Sequence, residues 1–219
     1  MGDHDDLFPQ PDLELLHTRE YVVRSYRVDD STILIRGAVR DRKPPGMYVP
    51  GDALPLTVHH MVIDLVVDMP TMAITSAQVV LETHPHEGCR RIEGHYQLLV
   101  GLSITRGFTH EVRELFGGPR GCTHTTALLQ AMAPVAIQST WSLSVAAGRD
   151  QPVELARRSS QTDVRDRFAL NLNTCHVWAQ DGEQVAALLA GEELEPPLWI
   201  VDRYRELGLD VEEWMRERR

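Results

Sequence analysis

Each of the three cysteines in this sequence has a histidine close to it in the chain. The three combinations are Cys89 with His86, Cys122 with His124, and Cys175 with His176. Thiolate sulfur and imidazole nitrogen are ligands that suit zinc or iron. Paired C-x-x-C motifs are absent, so a metal site would have to be assembled from distant segments, as is normal for catalytic sites. We predict ligands drawn from His59, Cys89, Cys122, His124, Cys175 and His176.

The stretch Gly121-Cys122-Thr123-His124 carries the sharpest signal, because it opens a predicted helix. A helix N-terminus favours the thiolate form of a cysteine and so lowers its pKa. Cys122 is therefore a candidate nucleophile as well as a candidate ligand, with His124 beside it. A buried cysteine that packs as a small apolar side chain explains the same residues equally well.

Histidines also lie at the start of a predicted strand. Adjacent strand residues face opposite sides of a sheet, so only one of His59 and His60 can reach a shared interior site. We select His59, although two solvent-facing imidazoles near a loop remain an alternative. His17, which precedes the first strand, could close the site from another side. The pair His84 and His86 is more typical of a histidine-rich loop.

Charged residues near these segments extend the hypothesis. Asp41 and Lys43 flank the first predicted hairpin and could act in acid and base catalysis if they are buried, although such residues are usually solvated. Arg113 and Arg120 precede Cys122, together with Arg106, and could hold an anionic substrate through paired hydrogen bonds. Surface solubility explains these arginines equally well.

The elements that must position these residues follow from hydrophobic periodicity. Residues 20–42 read as two β-rich runs about a polar turn. Residues 61–81 read as a second hairpin, since Met61, Ile63, Leu65 and Val67 repeat every two residues, with Asp64 and Asp68 on the opposite face. Helical spacing follows over 89–102, 111–116 and from Cys122 onward, with a further strand over 170–177. We predict an α+β fold: an antiparallel sheet from two hairpins plus a later strand, with helices on one face and a C-terminal helical pair.

The predicted domain organisation is simple. Residues 1–14 form an acidic tail, 15–190 a single α+β domain and 191–219 a C-terminal helical appendage. The arginine-rich stretch 148–167 is interpreted as a surface excursion or a lid. No apolar run approaches the roughly 20 residues that a membrane span needs.

Charge and cysteine content limit the partners. The net charge of −10 opposes binding to nucleic acid or to anionic membranes, which depends on basic residues. The start of the chain is unlike a signal peptide, and three dispersed cysteines suit reduced thiols. We predict a cytoplasmic protein that acts on a small molecule, binds neither nucleic acid nor membrane, and could form a homo-oligomer.

Several segments together resemble an uncharacterised bacterial family, domain of unknown function 2889. They span roughly residues 15–182 and comprise 16–19, 26–30, 40–44, 59–61, 99–102, 117–124 and 173–176. The Gly-Cys-Thr-His stretch is the most specific of these. The family pattern has His-Asp in place of His59-His60, which favours His59, and it has a cysteine that matches Cys89. The resemblance implies no activity.

Three functions compete. The first is an enzyme with zinc or iron that hydrolyses, hydrates or cleaves an organic acid or acyl thioester. The second is an iron–sulfur or sulfur-handling scaffold, since the order of elements is similar to that fold and would place Cys89 and Cys122 at its cysteines; this is analogy of topology alone. The third is a metal-free binding module.

Overall fold

The structure is a computed structural model that describes residues 8–105, 107–150, 171–192 and 195–216. Its strands are β1 (Thr18–Arg27), β2 (Thr32–Lys43), β3 (Leu56–Asp68) and β4 (Ala73–Thr83). They form one antiparallel sheet in the order β1-β2-β3-β4, with each strand hydrogen-bonded to its neighbour in sequence. Both predicted hairpins and the α+β class are confirmed.

One face of the sheet is the core face. Alternate residues of β2 and β3 are buried there, including Ile35 and Ile63, which have no exposed surface. This alternation is what the period of two in a half-buried strand requires. Asp41 continues the buried series of β2, so a carboxylate lies where the pattern calls for an apolar side chain.

Helical elements follow the sheet. A long 3₁₀ segment (Glu87–Leu99) precedes α1 (Phe108–Phe116), a short 3₁₀ turn (Gly118–Arg120) and α2 (Thr123–Asp150). The helix α2 continues through Pro134. It approaches β2 so closely at Gly37 that a Cβ there would lie 2.7 Å from Met132 Sδ. Close packing of this kind holds the first half of α2 against the sheet.

The remaining elements are short. They are a 3₁₀ turn (His176–Trp178), α3 (Glu183–Leu189), α4 (Leu198–Leu207) and α5 (Val211–Arg216). The helical pair α4 and α5 confirms the predicted C-terminal pair. The predicted later strand, 170–177, begins outside the described residues at 170 and is turn and 3₁₀ helix from 171 onward. Asn173 explains this, because it has a positive φ of 60° and its side-chain oxygen accepts the backbone N–H of Gln180.

The chain divides into two compact units, Met1–Trp141 and Ser142–Arg219. The predicted boundaries at residues 14 and 190 stay a prediction. In the first unit, residues 8–14 are exposed. Across the described ranges, every helix is too short or too polar to cross a membrane.

Candidate active site

Three charged or polar side chains form a row across the core face of the sheet. Asp41 on β2 pairs with Arg19 on β1 and with His59 on β3, so the three lie side by side. Residues that pair directly across strands point to the same face. The register of β2 and β3 shifts immediately after Asp41, which marks a β-bulge at the site. The sheet therefore builds half of the site by itself.

Asp41 is the centre of this row and is only 2% exposed. Arg19 donates from Nε to Oδ1 and from Nη2 to Oδ2, both at 2.7 Å. His59 Nδ1 lies 3.1 Å from Oδ2, and His17 Nε2 lies 3.6 Å from Oδ1. A buried carboxylate with this many partners is stabilised in its ionised form.

The start of α2 supplies the other half of the site. His124, the second residue of the helix, places Nε2 3.1 Å from Asp41 Oδ2. Its other nitrogen, Nδ1, lies 3.5 Å from the sulfur of Cys122. The rings of His124 and His59 are in contact, with centroids 4.1 Å apart and planes tilted by 31°. Cys122, His124 and Asp41 thus form a continuous chain of thiol, imidazole and carboxylate.

Tyr96 holds the backbone of Cys122 in place. The backbone N–H of Cys122 donates to the Tyr96 hydroxyl at 2.9 Å, and this hydroxyl also hydrogen-bonds the Thr125 hydroxyl. Thr125 in turn donates to the carbonyl of Cys122 at 2.9 Å. The Tyr96 ring is buried and stacked on Phe116, with centroids 4.7 Å apart. The thiol is therefore carried by a fixed turn rather than by a loose loop.

The carboxylate and the two imidazoles have shifted proton affinities. Hydrogen bonds from Arg19 hold the pKa of Asp41 well below its ordinary value, against the opposing effect of burial. Burial lowers the pKa of His59, and the neighbouring charge of His124 lowers it further. Asp41 is therefore an anion, and His59 is a neutral imidazole at neutral pH.

Cys122 and His124 shift each other's pKa in the direction that favours a thiolate–imidazolium ion pair. Burial alone would raise the pKa of the Cys122 thiol. Hydrogen bonds from the His124 ring and from the backbone amides of Thr125 and His124 outweigh burial and lower this pKa to about 7. The hydrogen bond to Cys122 raises the pKa of His124. Cys122 lies just before the N-terminus of α2, where the helix dipole also favours the thiolate form over the thiol.

The same residues include a group that could hold a metal ion. Asp41, His59 and His124 each offer a ligand atom, and these atoms lie within 4.8 Å of one another. Over the described ranges this is the one such group of three or more. Sulfur is not part of it, because Cys122 contacts the opposite nitrogen of His124.

The other predicted ligand and catalytic residues are described only within their own segments. Cys89 is half-buried in the long 3₁₀ segment. Cys175 and His176 are exposed and belong to the second unit. Lys43 lies at the end of β2, with its Nζ 5.4 Å from the centroid of the Tyr48 ring. For these four residues, the ligand and catalytic roles stay predictions.

The predicted substrate-binding arginines are exposed at the approach to Cys122. Arg120 donates to the backbone carbonyl of Arg113 at 3.2 Å. It also lines an open pocket of about 540 Å³ with Arg91 and His95, although Glu114 lines it too. Arg106 lies outside the described residues, as does most of the predicted lid, whose first three residues finish α2.

Arg19 and Tyr96 are the site residues that the sequence analysis missed. A signal for Arg19 existed, because the tight turn after β1 fixes the register of the first hairpin and so sets Arg19 opposite Asp41. No comparable signal existed for Tyr96, which meets Cys122 only through tertiary packing.

Comparison with known proteins adds the family. The profile described as "Protein of unknown function (DUF2889)" matches residues 17–138, more than half of the chain. The chain belongs to the DUF2889 family. The matched region begins at His17 and ends within α2. It therefore includes all three contacting side chains, Cys122, His124 and Asp41. No curated protein and no solved structure matches the chain significantly.

Proposed function

We propose that this protein is a thiol-dependent enzyme that hydrolyses an activated acyl group, such as the acyl thioester of a small organic acid, with Cys122 as the nucleophile. The observation that carries the proposal is the chain of contacts at one site. Cys122 Sγ lies 3.5 Å from His124 Nδ1, and His124 Nε2 lies 3.1 Å from Asp41 Oδ2. A nucleophile beside a base that a third group orients is the arrangement typical of covalent catalysis.

The balance of charge supports this proposal. In the reactive state the thiolate of Cys122 and the carboxylate of Asp41 are negative, while His124 and Arg19 are positive. The four charges cancel within one cluster, which avoids the high cost of an unpaired charge away from water. His124 is 14% exposed and Asp41 2%, whereas Arg19 is 40% exposed, so solvent screens the charge of Arg19 more than the other two.

The reaction follows from the positions of the protons. The Cys122 thiolate adds to the acyl carbon, the bond to the leaving thiol breaks, and the His124 imidazolium protonates that thiol. The product is an acyl thioester on Cys122. A water molecule then gives a proton to a base and adds to the acyl carbon, which releases the acid and restores the thiolate.

The test uses an acyl thioester and an activated ester as probes. Wild-type protein is expected to gain the mass of one acyl group on Cys122 and to release the leaving group in a burst. Cys122→Ala removes both signals. Cys175→Ser, which changes an exposed thiol, is the matched control and keeps them. Turnover that survives in Cys122→Ala would overturn the proposal.

A second candidate is the metal-dependent enzyme predicted from the sequence, using zinc or iron. The convergence of Asp41, His59 and His124 favours it, because separations of 3.1 Å between ligand atoms suit metal bonds of about 2.0 to 2.2 Å. Such an ion would polarise a carbonyl or activate water. Arg19 disfavours it, since its guanidinium already occupies both oxygens of Asp41.

Metal analysis separates the two candidates. Protein purified without a polyhistidine tag should hold about one ion per chain if the metal is resident, and a chelator should then abolish activity. Metal-free protein that still forms the acyl thioester would exclude the metal candidate. An iron–sulfur spectrum after anaerobic reconstitution would instead favour the scaffold hypothesis with Cys89 and Cys122. Protein with neither metal nor adduct would favour a binding module.

A further inference from the structure

The two histidines share one oxygen of Asp41, and this fixes which nitrogen of each ring carries a proton. His59 Nδ1 and His124 Nε2 both lie 3.1 Å from Oδ2. An ionised carboxylate can only accept hydrogen bonds, so each ring donates from the nitrogen that faces it. In a neutral His59 the proton is therefore on Nδ1, and Nε2 keeps its lone pair.

The lone pair of His59 Nε2 is open to water. Within the ranges that the structure describes, this nitrogen makes no hydrogen bond to the protein, and the side chain of His59 is 24% exposed. The corresponding nitrogen of His124 differs, because it faces the sulfur of Cys122. The site thus presents two basic nitrogens in neighbouring rings, one directed at the thiol and one available to solvent.

The charge on His124 controls when His59 can accept a proton. While His124 is an imidazolium, it and Arg19 oppose a further positive charge on the His59 ring, whose centroid lies 4.1 Å from that of His124. His17, the other ring beside Asp41, adds to this opposition whenever it is protonated. Once His124 has protonated the leaving group it is neutral, so it no longer opposes a positive charge on His59, whose Nε2 is the nitrogen available to water. That is the stage at which water must lose a proton.

We infer that His59 is the general base of the second half-reaction and activates the water that hydrolyses acyl-Cys122. This inference rests on the proposed function. His59 Nε2 takes a proton from water, the oxygen of that water adds to the acyl carbon, and the bond to the Cys122 sulfur breaks. The thiolate and the organic acid are released. His59 then returns its proton through solvent to His124, which restores the starting state.

The variant His59→Asn tests whether His59 acts only in the hydrolysis of acyl-Cys122. The amide nitrogen of Asn occupies the place of Nδ1 and keeps the hydrogen bond to Asp41, whereas the position of Nε2 is lost. We expect acylation of Cys122 within about 3-fold of wild type and hydrolysis of the acyl-enzyme slowed by roughly 100-fold, the usual scale for a general base. Mass spectrometry then shows acyl-Cys122 accumulating. Hydroxylamine, a stronger nucleophile than water, should restore its breakdown.

His60→Asn is the matched control, because His60 is next in sequence but pairs with Arg40 on the opposite face of the sheet. It should leave both half-reactions unchanged. Equal slowing of acylation and hydrolysis in His59→Asn would mean that His59 only supports Asp41. Unchanged hydrolysis would exclude His59 as the base. Either result overturns the inference but leaves Cys122 as the proposed nucleophile. Wild-type protein that forms no acyl-Cys122 overturns the proposed function and this inference together.

A second measurement needs no substrate. Nitrogen NMR of the His59 ring should show a protonated Nδ1 and an unprotonated Nε2 at neutral pH. A ring protonated on Nε2 alone would contradict the inference even if the acyl-enzyme forms.

Discussion

Asp41 is an ionised side chain at a position of β2 where a core residue is expected, and its partners account for its being there. Arg19 neutralises it, and His59 and His124 use its remaining hydrogen-bonding capacity. Without such partners a buried carboxylate would cost several kcal/mol. Its role in orienting two imidazoles explains why a charge occupies this place.

Replacing Asp41 by Asn should lower the free energy of unfolding by roughly 2 to 4 kcal/mol, because Arg19 and both histidines lose a charged acceptor. Denaturant unfolding at neutral pH measures this change. The control is Asp64→Asn. Asp64 accepts the same bidentate contact from Arg36, at 2.7 and 2.6 Å, on the more exposed face of the sheet.

The Asp64 change should cost at most about 1 kcal/mol, as for other exposed ion pairs. Equal losses in the two variants would show that the burial of Asp41 adds nothing to its contribution.

The Cys122 thiol should react at a lower pH than an ordinary thiol. Its pKa is lowered to about 7, so the thiolate fraction and the rate of alkylation by iodoacetamide rise through a midpoint near pH 7. In His124→Gln the main hydrogen bond that lowers this pKa is removed, and the midpoint should move upward toward the ordinary value of about 8.5. Peptide mapping at each pH separates Cys122 from Cys89 and Cys175. A midpoint that does not move in His124→Gln would contradict the pairing.

At the scale of elements, the site depends on where α2 begins. Gly121 lies just before Cys122, and a Cβ at this position would lie 2.4 Å from the backbone carbonyl oxygen of Phe116. A backbone atom cannot give way as a flexible side chain can. The close approach of these two segments therefore sets the first turn of α2 and the direction of the Cys122 sulfur.

Gly121→Ala should therefore weaken the site without changing any of its chemical groups. We expect a loss of roughly 1 to 3 kcal/mol in unfolding free energy from the steric conflict. Cys122 alkylation at pH 7 should also fall as its contact with His124 lengthens. Gly94→Ala is the control, since its Cβ would meet nothing within 4 Å. Unchanged reactivity of Cys122 in Gly121→Ala would show that the turn does not position the sulfur.

At the scale of the whole molecule, the first compact unit holds both the core and the candidate site. Among the described residues, the buried apolar side chains lie between Ile33 and Ala136, except for Val185 and Leu188. The DUF2889 match covers almost the same region, residues 17–138. The first unit therefore has the apolar core that an independently folding domain requires.

A fragment that ends at residue 150, after α2, should fold by itself. Its thermal unfolding should be cooperative, and its Cys122 should keep the alkylation rate and pH midpoint of the full chain. Circular dichroism and iodoacetamide labelling provide these measurements. Loss of cooperative unfolding in the fragment would show that the second unit is needed for the fold.

The sequence by itself determined the sheet and the local part of the site. Alternation of apolar residues predicts β2 and β3, because a strand with one buried face must repeat every two residues. The tight turn after β1 sets Arg19 opposite Asp41. The two-residue spacing of Cys122 and His124 at a helix start places thiol and imidazole together.

Only the tertiary structure decided that the two halves of the site, the row of side chains on the sheet and the start of α2, come together. Asp41 and His124 are 83 residues apart. A twelve-residue loop between β2 and β3 leaves the pairing of Asp41 with His59 unfixed by any tight turn. Packing of α2 on the core face brings its first turn to that row of side chains. Such contacts depend on the summed shape of many side chains, which no local pattern encodes.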